Sequence, residues 1–348
     1  MSRILSGIRS TGELHLGNYL GAIQQWIALQ QKHEVFFMVA DLHAITTPYD
    51  PKTLPKLVRD TVLDYLAAGV NPDQATIFVQ SHIPAHSELM WLLNAITPVG
   101  ELQRMIQYKE KSEQHADFQN AGILNYPILM AADILAYKPT LIPVGDDQGQ
   151  HVELARDLAK KFNRIYGETF PEPKAVHTDG KRIMDLVHPD QKMSKSLGGG
   201  IYLNDSPEVI EKKMMKAVSS AEPRVVREAM KAARGGEKAI DREWKGDVNL
   251  QKQYRGVRNL FTILLALGST QDIEMWETQA ELGTLQFGQF KPALAEIIAN
   301  HFAPFRERRA ELVRDTATVD AILDAGNAKA TIVAEKTLAE VQQHMGLR

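Results

Sequence analysis

The segment Gly12-Glu13-Leu14-His15-Leu16-Gly17-Asn18 sets two glycines around a histidine, with an asparagine three positions after the histidine. Glycine lets a backbone pass close to a ligand, and the start of a helix attracts anions. His15 and Asn18 share one face of a first helical turn, which suits neutral hydrogen-bond donors to a nucleotide phosphate. The glycine spacing approaches that of a Walker A loop. However, Asn18-Tyr19 stand where that loop needs Lys followed by Ser or Thr, which argues against a P-loop ATPase or kinase. No G-x-G-x-x-G dinucleotide pattern is present. Taken alone, the segment reads equally well as an ordinary strand–helix turn carrying an incidental histidine.

A second candidate is Lys192-Met193-Ser194-Lys195-Ser196, followed by Gly198-Gly199-Gly200. Two lysines interleaved with two serines on a glycine-rich loop suit an anion whose charge shifts, such as a departing pyrophosphate. The plain alternative is a solvated basic loop. A third candidate lies in 122–137, which is apolar almost all round and therefore predicts a largely buried helix. Tyr126, Met130 and Asp133 fall on one face of it. A buried Asp is costly unless something bonds it. Either it caps neighbouring backbone or it accepts a hydrogen from a ligand. An indole offers one N–H and no acceptor, so a carboxylate complements it, with Met130 as a polarizable surface for the ring. His82 and His86 are four apart, but a lone pair without a third ligand is usually incidental, so no metal site is expected.

The elements that must carry these residues follow from composition and pattern. The chain has 348 residues, 40 basic against 43 acidic, and a formal charge of −3. That length suggests about two domains. The absence of cysteine excludes disulfides, thiolate metal sites and a cysteine nucleophile. No apolar run approaches the ~18 residues of a membrane span. No signal-peptide pattern opens the chain, which leads to the expectation of a cytoplasmic protein without a membrane partner. Apolar runs at 3–8, 34–40, 75–80 and 140–144 predict strands. Helical spacing fills 16–32, 52–68, 86–109, 122–137 and 148–165. Strands alternating with helices predict βαβ units and a parallel sheet, whose ligands bind beyond the carboxyl ends of the strands. After about residue 200 the strands give way to charged helices. Between Lys212 and Arg258 there are 13 Lys or Arg against 6 Asp or Glu.

HLGN at 15–18 and KMSKS at 192–196 are together similar to the HIGH and KMSKS motifs of class I aminoacyl-tRNA synthetases, the second letter for letter. Within that class the chain resembles the tryptophanyl family along nearly its whole length. The likeness runs through the GxxxTGxxHxGNYxGA opening at 7–22, Asp41–Thr46, the stretches 100–112 and 126–135, Val144–Gln148, and Arg182-Ile183-Met184. The sister tyrosyl family often has Tyr-Pro-x-x-Gln-x-x-Asp where this chain has Met130 at the glutamine position, which favours indole.

The resemblance implies an α/β fold with a Rossmann-like parallel-sheet catalytic domain over 1–203. It implies a helical anticodon-binding domain over 204–290 and C-terminal helices over 291–348 that pack back on the catalytic domain. It implies a tryptophan–tRNA ligase that makes tryptophanyl-adenylate from L-tryptophan and ATP and then charges tRNA(Trp), with Mg2+ accompanying ATP, in a homodimer. His15, Asn18, Lys192 and Lys195 would be catalytic. ATP would meet Arg9, Ser10, Thr11, Gly17, Asn18, Lys111, Gly145, Asp146, Asp147, Ile183, Lys192, Met193, Ser194, Lys195 and Ser196. Tryptophan would meet Asp133, Tyr126, Met130, His43 and Gln148. The basic stretch Lys212–Arg258 would contact tRNA phosphates, with Trp244 and Tyr254 as stacking candidates better explained by core packing. The chain departs from many relatives at Arg9 and Ser10, where Gln and Pro are common, and at Leu5, where some place Phe. Two rivals remain. A nucleotidyltransferase with an HxGH turn gives no reason for the indole-type pocket, and a paralogue that does not charge tRNA gives no reason for two chemically intact motifs. The reading predicts that Asp133→Ala raises the tryptophan KM with little loss of fold.

Overall fold

Five strands form one parallel sheet: β1 (Arg3–Ile8), β2 (Glu34–Val39), β3 (Ala75–Val79), β4 (Leu141–Val144) and β5 (Lys174–His177), in the spatial order β3-β2-β1-β4-β5. The computed structural model describes residues 2–10, 12–105, 108, 120–144, 148–177, 181–194, 197–235 and 246–348. β2 and β3 are buried almost throughout, as expected of strands with helices on both faces. Chain order reverses at β1, which pairs with β2 on one side and β4 on the other. The carboxyl end of β1 is therefore the topological switch point of the sheet.

Two contacts shape the carboxyl ends. Gly7 lies opposite Met38 in the β1–β2 register. A Cβ at Gly7 would fall 2.8 Å from the Met38 carbonyl oxygen, so only glycine fits. One residue on, the fully buried Tyr65 hydroxyl enters between the strands. It accepts from the Ile8 N–H at 3.0 Å and donates to the Met38 carbonyl at 3.1 Å. The outer edge of β3 is covered by the helix Thr316–His344. Gly326 of that helix sits so close to Ile77 that no side chain fits there, and Asn327 accepts the Val79 N–H at 2.9 Å. An otherwise open sheet edge is thereby paired and shielded.

The chain divides into two compact units. The first comprises Met1–Gly12, Gln25–Thr178 and Glu311–Arg348, and it holds the sheet with the helices Leu54–Ala68, Ala85–Asn94, Ala121–Ala136, Gly149–Tyr166 and Thr316–His344. The second comprises Glu13–Gln24 and Asp179–Ala310. Its helices Pro207–Met215, Pro223–Ala233, Val248–Leu267, Thr270–Leu282 and Phe287–His301 pack around Phe261, Phe290 and Trp276. Tyr254 is buried there, as core packing requires, and Trp244 lies outside the described residues. These units are discontinuous in sequence.

The elements also differ from the pattern in three places. The stretch expected as one helix over 16–32 runs as an α-turn at Leu16–Asn18, a π-turn at Tyr19–Ile23 and an α-segment at Gln24–Leu29. The helix expected over 86–109 stops at Asn94 and resumes at Val99–Gln103, because Pro98 disfavours helical backbone at Thr97. β5 was not expected at all.

Candidate active site

The first cluster forms where β2 and β3 end. Past Val39 the chain enters the short helix Asp41–Ala44, and past Val79 it enters the 3-10 turn Gln80–His82. Asp41 ties the two together by accepting from the Leu42 and Ser81 N–H groups and from the Ser81 hydroxyl. This places His43 and Gln80 over the helix Ala121–Ala136, whose start is capped by Asn120. Asp133 projects from that helix and is 1% exposed.

The Asp133 carboxylate is surrounded by donors. His86 Nδ1 lies 2.5 Å from Oδ1 and His43 Nε2 lies 2.8 Å from Oδ2. The Gln80 amide nitrogen reaches both oxygens, at 2.9 and 2.8 Å. A carboxylate has about four lone-pair sites, and these four contacts occupy them. Burial pushes the Asp133 pKa up, but hydrogen bonds from His43 and His86 outweigh it and hold the group at about 2, so it is ionised. The donor directions are fixed by their own partners. The Gln80 carbonyl accepts from the Leu42 and His43 N–H groups, which leaves its NH2 for Asp133. An ionised carboxylate only accepts, so His86 Nδ1 carries the proton. His86 Nε2 then accepts from the Tyr137 hydroxyl at 2.9 Å. Burial, and secondarily the Asp133 charge, push the Tyr137 pKa up and keep it a donor. Tyr126 completes this side. Its ring meets His43 edge-on at 6.1 Å, and its hydroxyl lies 3.1 Å from His151 Nε2. Met130, one turn before Asp133, is half-buried, and Gln148 stands at the start of the helix Gly149–Tyr166. Arg9 and Ser10 follow β1 in the same unit. Ser10 is fully buried and its hydroxyl has no protein partner among the described residues.

The second cluster lies in the helical unit. His15 begins the first turn as its N-cap. Its Nδ1 accepts the Asn18 N–H at 3.3 Å, while the Asn18 side-chain oxygen accepts the His15 N–H at 3.1 Å. With Nδ1 an acceptor, a neutral His15 carries its proton on Nε2 and presents a donor there. Gly17 leaves space for this ring, since a Cβ there would lie 3.1 Å from His15 Nδ1 and 3.6 Å from Met193 Cβ. The turn is stitched to the strand-like segment after the lysine loop by Leu16 N–H to Ile201 O and Leu203 N–H to Leu14 O, both 2.9 Å. The loop itself is a hairpin. Met193 N–H bonds the Ile183 carbonyl, Met184 bridges Lys192, and Asp185 N–H bonds the Gln191 carbonyl. Asn259 clamps the Met184 backbone at both N–H and C=O, each at 2.8 Å. Asp185 accepts from the Val187, His188 and Gly199 N–H groups. Lys192 is exposed at the edge of this rigid base, with Ser194 half-buried beyond it.

The structure thus gathers His43, Tyr126 and Asp133 in one cluster and His15, Gly17, Asn18, Ile183, Lys192, Met193 and Ser194 on one framework. Thr11, Lys111, Gly145, Asp146, Asp147, Lys195 and Ser196 lie outside the described residues. One expectation is corrected. Asp133 is not an acceptor standing alone, because three side chains already hold it. Gln80, His86, Tyr137 and His151 escaped the sequence reading. His86 carried a signal, since it shares the inward face of its helix with Leu89 and Leu93, and a polar side chain on an apolar face needs a buried partner. It does not pair with His82, whose Nδ1 meets the Asn327 amide at 2.9 Å.

A parallel sheet with a buried carboxylate cluster beyond its strand ends, an HLGN turn bonded to residues 201–203, and a hairpin that leads into Lys192-Met193-Ser194 define an enzyme of the class I aminoacyl-tRNA synthetase type. Comparison with known proteins agrees. Residues 1–303 match the family of class I tRNA synthetases for W and Y, and the chain belongs to that family. It is 43% identical to the tryptophan–tRNA ligase of Leifsonia xyli subsp. xyli, over 99% of this chain and 96% of that one. It is 41% identical to that of Clostridium perfringens, over 99% and 97%. Among solved structures it is similar to tryptophanyl-tRNA synthetase from Campylobacter jejuni complexed with ADP and tryptophan, with a TM-score of 0.81 and 29% identity over 99% of this chain and 100% of that one. The Mycoplasma pneumoniae tryptophanyl-tRNA synthetase gives a TM-score of 0.81 at 35% identity, over 100% and 98%.

Proposed function

We propose that this chain is a tryptophan–tRNA ligase in which Asp133 selects the indole and the HLGN and KMSKS segments hold ATP. The observation that carries the reading is Asp133, an ionised and buried group that can only accept hydrogen bonds, one turn after Met130 and close to Tyr126 and His43. An indole N–H is a donor without an acceptor, so it complements this group, whereas a phenol brings an oxygen lone pair as well. His43, Tyr126, Met130 and Gln148 line the amino-acid side in this proposal.

The tryptophan carboxylate attacks the α-phosphorus of ATP, the bond to the β-phosphate bridging oxygen breaks, and pyrophosphate leaves. The nucleophile is already an anion, so no strong base is needed, and positioning and charge stabilisation do the work. His15 and Asn18 donate to phosphate oxygens from the first turn. Gly17 keeps the backbone close to the nucleotide, and Arg9, Ser10 and Thr11 are further ATP contacts in this proposal. The otherwise unpartnered Ser10 hydroxyl supports such a contact. Lys192, Ser194, Lys195 and Ser196 hold the departing pyrophosphate with Lys111, while Met193 and Ile183 flank the base and Gly145, Asp146 and Asp147 the ribose. Mg2+ enters with ATP, held chiefly by phosphate oxygens and water. The terminal ribose hydroxyl of tRNA(Trp) then attacks the adenylate carbonyl and releases AMP.

The exposed side chains Lys212, Lys216, Arg224, Lys231 and Lys252 on the helices after residue 204 support tRNA phosphate contact there. Trp91, 74% exposed, and nearby Val99, 59% exposed, support a second copy of the chain as partner. A role in translation supports a cytoplasmic location as part of this proposal. Tryptophan-dependent ATP–pyrophosphate exchange followed by charging of tRNA(Trp) tests the reading. Exchange driven by tyrosine instead of tryptophan would overturn it.

A further inference from the structure

The lone-pair accounting at Asp133 poses a question that the proposed function leaves open. Four contacts fill a carboxylate, yet an indole N–H must find an oxygen. One donor has to yield, and the structure separates the donors by how firmly each is held. His86 is fully buried and spends both ring nitrogens, on Asp133 and Tyr137. Gln80 is fully buried and its carbonyl is pinned by two backbone N–H groups. The His43 side chain is 10% exposed, against 0% for His86, and it faces Tyr126.

We propose that His86, set by the Tyr137 hydroxyl, is a positioning residue for indole selection. It anchors Asp133 through Oδ1 while Gln80 reaches both oxygens, and together they present Oδ2, which His43 caps until the ligand's N–H displaces it. The proposal rests on the reading of Asp133 as the indole acceptor. The Tyr137 O–H holds the second ring nitrogen of His86. Nδ1 donates to Oδ1 of the ionised carboxylate and Nε2 meets the Tyr137 hydroxyl, so the ring is held at both nitrogens. Without that hydroxyl the ring loses its second anchor and can swing about its side-chain torsions, taking Nδ1 out of line with Oδ1. The carboxylate would then turn, and the Oδ2 direction that the indole needs would be lost. Tyr137 and His86 touch no substrate in this scheme, so their effect passes through Asp133 alone.

The test is ATP–pyrophosphate exchange by the full chain, with L-tryptophan and with its isostere in which sulfur replaces the ring N–H. Tyr137→Phe keeps the ring packing and removes only the hydroxyl. It is expected to raise the tryptophan KM about tenfold with kcat within about twofold, and to leave the KM of the sulfur analogue unchanged, so that preference for tryptophan falls by the same factor. His86→Leu is expected to lower the preference further. His86→Asn, whose amide nitrogen reaches the Nδ1 position, is expected to restore most of it. Equal losses for both substrates in Tyr137→Phe, or no rescue by His86→Asn relative to His86→Leu, would overturn the proposal. Should His86→Leu fail to fold, Tyr137→Phe and the ratio measured for His86→Asn decide. Failure of the underlying reading is distinguishable, because the unmutated protein would then show no preference for tryptophan over the sulfur analogue.

Discussion

Replacing Asp133 with alanine is expected to cost stability as well as selectivity, which reverses the expectation from sequence that the fold would barely notice. The substitution removes an acceptor on which three side chains converge. His43 lies near the surface and can turn to water, but His86 and Gln80 are fully buried. A buried donor left without its acceptor costs about 1–3 kcal/mol, and removing one partner of a buried charged cluster costs about 3–5 kcal/mol. The loss should therefore be about 3–5 kcal/mol. In a unit of about 200 residues, each kcal/mol moves the midpoint by roughly 2–4 °C, so thermal unfolding should begin some 10 °C lower. Equilibrium titration with tryptophan, below the melting range of both proteins, should show binding weakened at least tenfold, the ordinary range for a hydrogen bond to a charged group. A midpoint within about 1 °C of the unmutated protein would refute the network argument. Weak binding alone would not, because it follows from ligand contact without any structural role.

Acid separates the charge from the shape. The Asp133 carboxyl titrates at about 2 in the folded protein, against its ordinary 3.8, because the hydrogen bonds from His43 and His86 outweigh burial. A depressed folded pKa contributes stability in full above the unfolded value. That contribution is lost as pH falls from about 4 through about 2, and here it amounts to about 2 kcal/mol. Asp133→Asn has no charge to lose. Its stability deficit relative to the unmutated protein should therefore narrow by about that amount between pH 5 and pH 2. A deficit independent of pH would mean that the carboxylate is not held ionised by its neighbours.

Three further outcomes are expected. Tyr65→Phe leaves the Ile8 N–H and the Met38 carbonyl without their bridge and should destabilise by about 1–3 kcal/mol in chemical denaturation, provided the strands do not close to bond directly. Gly17→Ala puts a methyl 3.1 Å from His15 Nδ1 and should raise the ATP KM in exchange assays while leaving tryptophan affinity, measured by fluorescence or calorimetry, unchanged. Lys195→Ala should slow ATP–pyrophosphate exchange roughly a hundredfold with little change in tryptophan affinity, as expected for a charge used on the departing pyrophosphate, and equal loss of both would indicate global damage.

How much of this was legible in the sequence depends on where each signal resides. β2 and β3 were clear because both faces are buried, so EVFFMV and ATIFV are apolar without alternation. β5 was not, because Lys174–His177 is four residues long with a charge at its start, and its pairing partner supplies the stability that its composition does not. The break at 94–99 was written in Pro98 and was overridden by the apolar spacing around it. The π-turn at Tyr19–Ile23 left no trace in residue type. In the site, Asp133 stood out because a carboxylate in an apolar helix is expensive. Its donors did not, because Gln80 and His86 are 53 and 47 residues away and become neighbours only through the strand order.

That asymmetry carries a physical lesson about this family member. The sequence could flag a group in need of a partner, and it offered the ligand as that partner. The structure answers the need from within, so the cluster is complete before any substrate arrives. A site of this kind discriminates by exchange of one donor for another. In the proposed exchange an indole N–H replaces His43 at Oδ2 with no loss of hydrogen bonds to the carboxylate, whereas an amino acid lacking that N–H either leaves His43 in place or leaves Oδ2 bare. Selectivity then depends on how tightly the remaining donors hold the carboxylate, which makes residues that never touch the ligand part of its recognition.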